Sequence, residues 1–437
     1  MTLPQPPDPP APGRAWWALA ALILAYTVAY IDRTMLSLLV GPIKAALHIS
    51  DVQFSLLLGL AFALFYTLLG IPLARIADHA NRRNLIMAGA AVWSVMTALC
   101  GVAQSYSQLF AARVGVGFGE ASLSPAAYSL LGDAFPRRQL PLALSVYSMA
   151  IYLGSGLALI GGGAAIGAMR AVDLPLIGHL EPWQAVFPLM GAGGVLVLLG
   201  MATVAEPARR GVVEKVPFAA GCAAIWAQRR GYLTIFLGYA AASAVWNGAL
   251  AWLPSLFIRQ FGWTAREAGL RFGLAVLICA SCGILAGGRV AVMLERRGVG
   301  GANLWVGLVS AGAVTLVLAC LPLAASGGAM LALVCVFLFC GGAPYGAAVT
   351  ALHDITPNRL RAQVSAIYLF CVNLAGIGAG PTLVALYARG FGHRPLAWGI
   401  ACNAGLGGLL GAAILGQGLA PYRRIVAQQR RAVTASI

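Results

Sequence analysis

Apolar residues in this chain do not alternate with polar ones. They gather into stretches of about 20 residues, the length a helix needs to cross a bilayer core, separated by short polar or basic loops. Twelve such stretches are predicted, at 16–40, 52–74, 84–103, 108–131, 140–168, 184–204, 231–257, 267–291, 302–322, 328–351, 361–388 and 396–419. The longest polar interruption, 205–230, opens on Glu206-Pro207-Ala208-Arg209-Arg210 and closes on Arg229-Arg230. The pattern predicts an all-α polytopic membrane protein with twelve transmembrane helices in two six-helix bundles. A disordered leader is expected at 1–14, an N-terminal bundle at 15–204, an inter-bundle linker at 205–230, a C-terminal bundle at 231–420 and a tail at 421–437.

An internal repeat supports the division. Asp133, Pro136 and Tyr147 recur as Asp354, Pro357 and Tyr368, each displaced by 221 residues. A second echo joins Asn81-Arg82-Arg83 to Glu295-Arg296-Arg297. Paired six-helix halves are a common transporter plan.

Composition narrows the class. Charged residues are 10% of the chain and apolar residues 60%, against about 25% charged in a soluble domain. The net charge of +16 does not point to nucleic acid, because the basic residues fall in clusters between apolar runs instead of along one stripe. With both termini inside, twenty basic residues lie on the cytoplasmic side, seven outside, and two, Arg33 and Arg113, within spans. That asymmetry predicts cytoplasmic termini. The proline-rich start lacks the basic region of a signal peptide, and the expected location is a cell inner membrane. Cys279 and Cys282 sit inside an apolar run without a second pair, so packing, not metal or redox chemistry, is expected of them. Gly115, Gly117 and Gly119 lack the strand a nucleotide fingerprint needs and are read as a helix-packing seam. Gly376, Gly378, Gly380 and Pro381 mark a closely packed or bendable eleventh span.

Four charges stand within apolar spans: Asp32, Arg33, Arg113 and Glu120. Each costs about 2.5–3.5 kcal/mol at a helix centre on insertion scales, so it needs a partner or a cavity. Arg113 and Glu120 are seven apart, on one helix face about 10 Å apart. Asp32 and Arg33 point in different directions, so the first and fourth helices could make two opposite-charge contacts. A structural ion-pair cluster is the alternative to a transport site. The C-terminal half places Gly341 and Val334 at the repeat positions of Glu120 and Arg113, and offers Tyr239, Asn247, Tyr345, Tyr368 and Asn373 as cavity lining. A charged N-terminal wall and a partly aromatic C-terminal wall suit an amphipathic substrate. Asp78 beside Arg82 and Arg83 reads as a conformational latch at helix ends.

Residues 70–83, Gly-Ile-Pro-Leu-Ala-Arg-Ile-Ala-Asp-His-Ala-Asn-Arg-Arg, resemble the loop 2–3 signature of the major facilitator superfamily, with His79 where an Arg is usual and Val292 where the second half would carry an Asp. Tyr30-Ile31-Asp32-Arg33, and Arg113 through Glu120 on to Gly132-Asp133, resemble the Spinster-like branch. The resemblance implies a twelve-helix rocker-switch fold. It also implies lysolipid or sphingosine-phosphate export, as in animal members, and makes Asp32, Arg33, Arg113 and Glu120 the charged cavity residues. Those members use a basic residue in the seventh span, where this chain has Asn247.

The expected function is secondary active transport of an amphipathic organic anion or lysolipid by alternating access, coupled to protons. Small organic or sugar acids are the alternative substrates, since Tyr-Ile-Asp-Arg also occurs in organic-anion symporters. A non-transporting sensor or a membrane enzyme is disfavoured, because no nucleophile–base pair or P-loop stands out. No cofactor or metal is expected. The partners expected are substrate, protons and membrane lipids, with no nucleic acid, and the chain is expected to act as a monomer.

Overall fold

The computed structural model describes residues 12–77, 79–136, 138–168, 172–174, 178–209, 217–357 and 360–435. The helices are α1 (Pro12–Met35), α2 (Val40–Leu47), α3 (Asp51–Leu58), α4 (Leu60–Ala77), α5 (Arg82–Cys100), α6 (Tyr106–Glu120), α7 (Leu123–Ala134), α8 (Leu140–Ala168) and α9 (Pro182–Ala202). They continue as α10 (Phe218–Ala227), α11 (Arg229–Phe261), α12 (Ala265–Ala275), α13 (Ser281–Arg296), α14 (Ala302–Ala319), α15 (Gly327–Gly342) and α16 (Pro344–Asp354). The last are α17 (Arg361–Asn373), α18 (Gly380–Ala388), α19 (Pro395–Asn403) and α20 (Leu409–Ala435). Among the described residues the helices are joined by one short antiparallel hairpin, Val172–Leu174 paired with Gly178–Leu180.

Among the described residues, eleven helical stretches are long and apolar enough to cross a membrane. The fourth expected span, 108–131, is absent from that set because Ala121–Ser122 divides it into α6 and α7, each too short alone. Counted as one broken helix, it brings the number to the twelve expected. Three other spans are continuous through a wide π turn, at Val276–Ala280, Leu374–Ala379 and Ala404–Gly408. The glycines of the eleventh span fall in and just after the second of these.

Chain contacts divide the molecule into two compact units: Met1–Glu214 with Trp263–Gly273, and Lys215–Gly262 with Leu274–Ile437. The segment Trp263–Gly273 joins the first unit through glycine contacts. A Cβ on Gly269 would strike the Leu159 carbonyl of α8, and one on Gly273 would meet the Gly156 carbonyl. Small residues carry the packing elsewhere too. Gly117 lies against the backbone of Phe62, and Gly119 against that of Gly89 and Trp93. The Gly115–Gly119 seam therefore lets α6 approach α4 and α5, as small residues do where lipid offers no hydrophobic drive between helices. Of the linker, residues 210–216 lie outside the described residues. The remainder is not simply polar chain, since α10 forms there and α11 begins at Arg229.

The repeat runs at a constant displacement through the middle of each half. α6, α7 and α8 begin at 106, 123 and 140, and α15, α16 and α17 at 327, 344 and 361, always 221 apart. The N-caps repeat as well. Ser105 accepts from the amide of Gln108 and Ser326 from that of Ala329, supplying an acceptor to a helix end whose N–H donors lack one. The second sequence echo falls at different helix positions: Arg82 opens α5, whereas Arg296 closes α13. The displacement of 221 instead carries Arg82 to Asn303, near the start of α14.

Candidate functional site

The four intramembrane charges meet inside the first unit. Nε of Arg33 donates to Oε2 of Glu120 at 2.6 Å, and a terminal guanidinium nitrogen lies 2.6 Å from the same oxygen. Arg113 Nη1 donates to Oδ1 of Asp32 at 3.3 Å. Thr97 Oγ1 donates to the other oxygen, Oδ2, at 2.7 Å. Asp32, Arg113 and Glu120 are buried. Helices α1, α5 and α6 supply all five side chains, so two neighbouring residues of α1 hold two charges seven residues apart on α6.

Aromatic rings complete the setting of Arg33. Its guanidinium carbon is 4.4 Å from the ring centroid of Phe62, 4.5 Å from Tyr66 and 4.9 Å from Tyr30. A cation held over a ring gains about 0.5–2 kcal/mol, more when desolvated. Phe62 and Tyr66 are one turn apart on α4 and stack at 5.1 Å. Beyond them Tyr26 stacks on Tyr147 at 4.7 Å. The pairs are not fully satisfied. Glu120 Oε1 and Arg113 Nε are buried with no hydrogen-bond partner among the described residues. One carboxylate oxygen is committed to Arg33 and the other is open to a proton or a donor.

At one end of the same unit lies a second charge assembly. Arg82 is fully buried. Its Nε donates to Oε1 of Glu206 at 2.6 Å, one Nη to the Ser129 carbonyl at 3.1 Å and to Asp133, and the other to the Pro207 carbonyl at 2.9 Å. The amide of Arg83 donates to the second oxygen of Glu206 at 3.0 Å. Arg209 donates to the carbonyls of Ala77 and Ala80 at 2.9 and 2.7 Å. Asp78 lies outside the described residues. Arg82 thus ties α5 to α7 and to the chain leaving α9, and a planar five-donor guanidinium is suited to such a junction.

Of the lining residues expected in the C-terminal half, Tyr239 and Tyr368 meet in the second unit. Tyr239 is buried, 6.5 Å ring to ring from Tyr368, and donates to the Asn303 carbonyl at 3.3 Å. Tyr368 is buried in the same core cluster. Asn247 bonds within its own helix, to the Ser243 carbonyl at 3.0 Å. Tyr345 is exposed, and Asn373 is half-buried at the end of α17. Sequence reasoning missed Thr97, the ring pair Phe62/Tyr66, and Asp133 and Glu206 as partners of Arg82. The signal for the rings was their spacing of four on an apolar helix. Glu206 stands 124 positions from Arg82, where no local pattern points to it.

The model of the Major Facilitator Superfamily matches residues 22–381. The chain belongs to this superfamily. An MFS-type efflux pump of Mycolicibacterium smegmatis is 30% identical over 444 residues, covering 97% of each chain. A probable L-galactonate transporter of Escherichia coli is 23% identical over 394 residues, covering 83% of this chain and 82% of its own. Among solved structures, a bacterial homologue of the human lysosomal transporter Spinster, crystallised inward-facing and unoccupied, superposes with a TM-score of 0.78. It is 26% identical, with 96% of this chain and 98% of that chain covered. The chain is thus a multi-pass membrane protein of a transporter superfamily, with its structural likeness to the Spinster branch.

Proposed function

We propose that this superfamily member is a secondary active transporter moving an amphipathic organic anion or lysolipid by alternating access, with proton movement coupled to transport. It works as a monomer in a bacterial inner membrane with both termini cytoplasmic. The observation that carries the reading is the partly satisfied cluster Asp32–Arg113 and Arg33–Glu120, with Oε1 of Glu120 unpartnered in a buried setting. Buried intramembrane carboxylates paired to arginine are the groups that relay protons in carriers. An incoming anion competes with Asp32 or Glu120 for a guanidinium, and protonation of the displaced carboxylate removes the charge that would otherwise be left unpaired. The aromatic shelf of Tyr30, Phe62 and Tyr66 gives the apolar part of a substrate a surface beside the charge. Arg82 and Arg83 latch one end of the unit, and Asp78 belongs to the same latch.

A second reading, transport of small organic or sugar acids, is favoured by the two arginines, each able to grip a carboxylate, and by the likeness to the L-galactonate transporter. Flux into proteoliposomes under an imposed pH gradient separates the two, with a labelled lysolipid compared against a labelled sugar acid. One coupled proton sustains about a tenfold accumulation ratio per pH unit. We expect lysolipid accumulation that follows the gradient and falls to equilibration in Glu120→Gln. Sugar-acid movement alone moves the substrate to the second reading. Flux indifferent to both gradient and substitution leaves the cluster a structural role only.

A further inference from the structure

The second unit carries a helix that spans nothing. α10 is ten residues long, about 15 Å at 1.5 Å per residue, and stands immediately before the span that begins at Arg229. One face is accounted for. Gly221 abuts Gln363 of α17, and Ala220, Ala224 and Ile225 pack on the core around Tyr232 and Tyr368. The other face is open: Cys222, Ala223 and Trp226 are exposed, Trp226 at 72%. The other large apolar side chains this exposed lie on long apolar helices that lipid covers, as Leu316 and Leu323 do. Trp226 does not. The guanidinium of Arg229 sits 5.5 Å from the Trp226 ring, with Arg230 next in sequence. From Lys215 to Tyr232 the chain holds three basic residues and no acidic one.

We propose that α10 is a membrane-surface helix that beds Cys222, Ala223 and Trp226 into the headgroup layer of anionic phospholipid, where Arg229 and Arg230 take the phosphates. The partner follows from the chemistry. Tryptophan prefers the membrane–water boundary, where its ring is buried and its N–H stays wet. Short helices with an apolar face and basic flanks lie in that boundary plane. Attraction to an anionic leaflet adds to the binding for each basic residue near the surface. A soluble protein partner would need acidic groups to match the arginines and would have to reach a helix held at the membrane entry of α11. The lipid surface is already there.

Cys222 shares the exposed face with Trp226, one turn away, and is exposed in the protein. The test is its rate of modification by a water-soluble maleimide, read on its own peptide by mass spectrometry, with the full-length protein in nanodiscs. Discs of phosphatidylcholine are compared with discs of equal parts phosphatidylcholine and phosphatidylglycerol, and with detergent. We expect labelling about fivefold or more slower in the phosphatidylglycerol discs, with the difference lost in Arg229→Gln/Arg230→Gln and reduced in Trp226→Ser. Equal, fast labelling in all three media overturns the proposal. Equal, slow labelling in detergent as in lipid also overturns it, since a second copy of the chain would then be the cover. Equal protection in both kinds of disc removes the anionic partner and overturns it too. If the double variant fails to insert, the wild-type comparison across lipids decides alone.

Discussion

The two units share a framework and differ in what fills it. Tyr26 stacks on Tyr147 in the first, and Tyr239 meets Tyr368 in the second. Taking these as matched pairs, α1 and α11 are displaced by 213 residues, while the helices from α6 to α8 keep their 221. Arg33 then corresponds to Trp246, and Glu120 to Gly341. Where the first unit joins α1 to α6 by a buried ion pair, the second lays the six-membered ring of Trp246 against Gly341, so closely that a Cβ there would collide with it. Trp246 also packs 4.9 Å from Phe337. Asp32 and Arg113 likewise correspond to Val245 and Val334. The exchange repeats at the helix ends: the buried Arg82 bonds to Asp133, and its counterpart Asn303 to Asp354 at 3.2 Å. One helical plan therefore accepts either ionic or apolar ties between the same helices. What is not needed for packing in one unit is free to serve chemistry in the other.

The most severe way to test that equivalence is to put the charge where the glycine is. Gly341→Glu pushes a carboxylate into the Trp246 ring and leaves it without a cation. Overpacking costs about 1–3 kcal/mol, and an unpaired buried charge several more. We expect Gly341→Glu to abolish a stable monodisperse protein in detergent. Trp246→Arg/Gly341→Glu should recover part of the loss, with a double-mutant coupling of about 1–3 kcal/mol by thermal unfolding. No recovery would mean that the two positions are not counterparts, and the comparison would lose its central pair.

Arg82→Ala comes next. It removes a guanidinium that Asp133 and Glu206 share and the donors to two backbone carbonyls. Breaking a buried pair by deleting one partner costs about 3–5 kcal/mol. The partners here keep some solvent contact, at 17% and 22% side-chain exposure, which places the expected loss at the lower end. A melting temperature within a degree or two of wild type would show that the junction is dispensable to the fold and leave it only a conformational part.

How much of this could be read from the chain follows from the nature of each signal. The spans were legible because lipid demands long apolar runs, and the four charges because each interrupts one. The pairing of Arg33 with Glu120 and of Asp32 with Arg113 was within reach, since helical periodicity fixes which charges share a face. The break at Ala121–Ser122 was legible too and was passed over: Ser122, Ser124 and Pro125 are helix-start residues, Pro being tolerated in a first turn where its missing N–H costs nothing, but the apolar residues on either side were read as one span. Glu206 looked like part of a polar linker, and its bond to Arg82 exists only once α5 and α9 are side by side. Asn303 is the instructive omission. The displacement of 221, applied to Arg82, names it, but a neutral residue at a helix start attracts no notice among charged ones. Trp246 was hidden in the same way, as an ordinary tryptophan in an apolar span whose meaning lies in the glycine opposite it.

The mildest prediction sets the scale of the difference between the two helix-end junctions. Nδ2 of Asn303 donates at 3.2 Å both to Oε1 of Glu295 and to Oδ2 of Asp354. Asp354 is held independently by Tyr422, whose hydroxyl donates to the same oxygen at 2.6 Å. Tyr239, which bonds to the Asn303 backbone carbonyl, keeps its acceptor whatever side chain stands at 303. Asn303→Ala therefore deletes two long hydrogen bonds and leaves neither carboxylate stranded. The expected cost is about 1 kcal/mol, the net worth of ordinary hydrogen bonds, measured by thermal unfolding under the conditions used for Arg82→Ala. The ratio of the two losses is the informative quantity. A loss several times smaller at 303 than at 82 means the second unit has dispensed with charge at this junction, because Tyr422 and a neutral amide suffice. Losses of equal size would mean that the junction depends on filling the position and satisfying its neighbours, and that the charge of Arg82 is kept for movement rather than for stability.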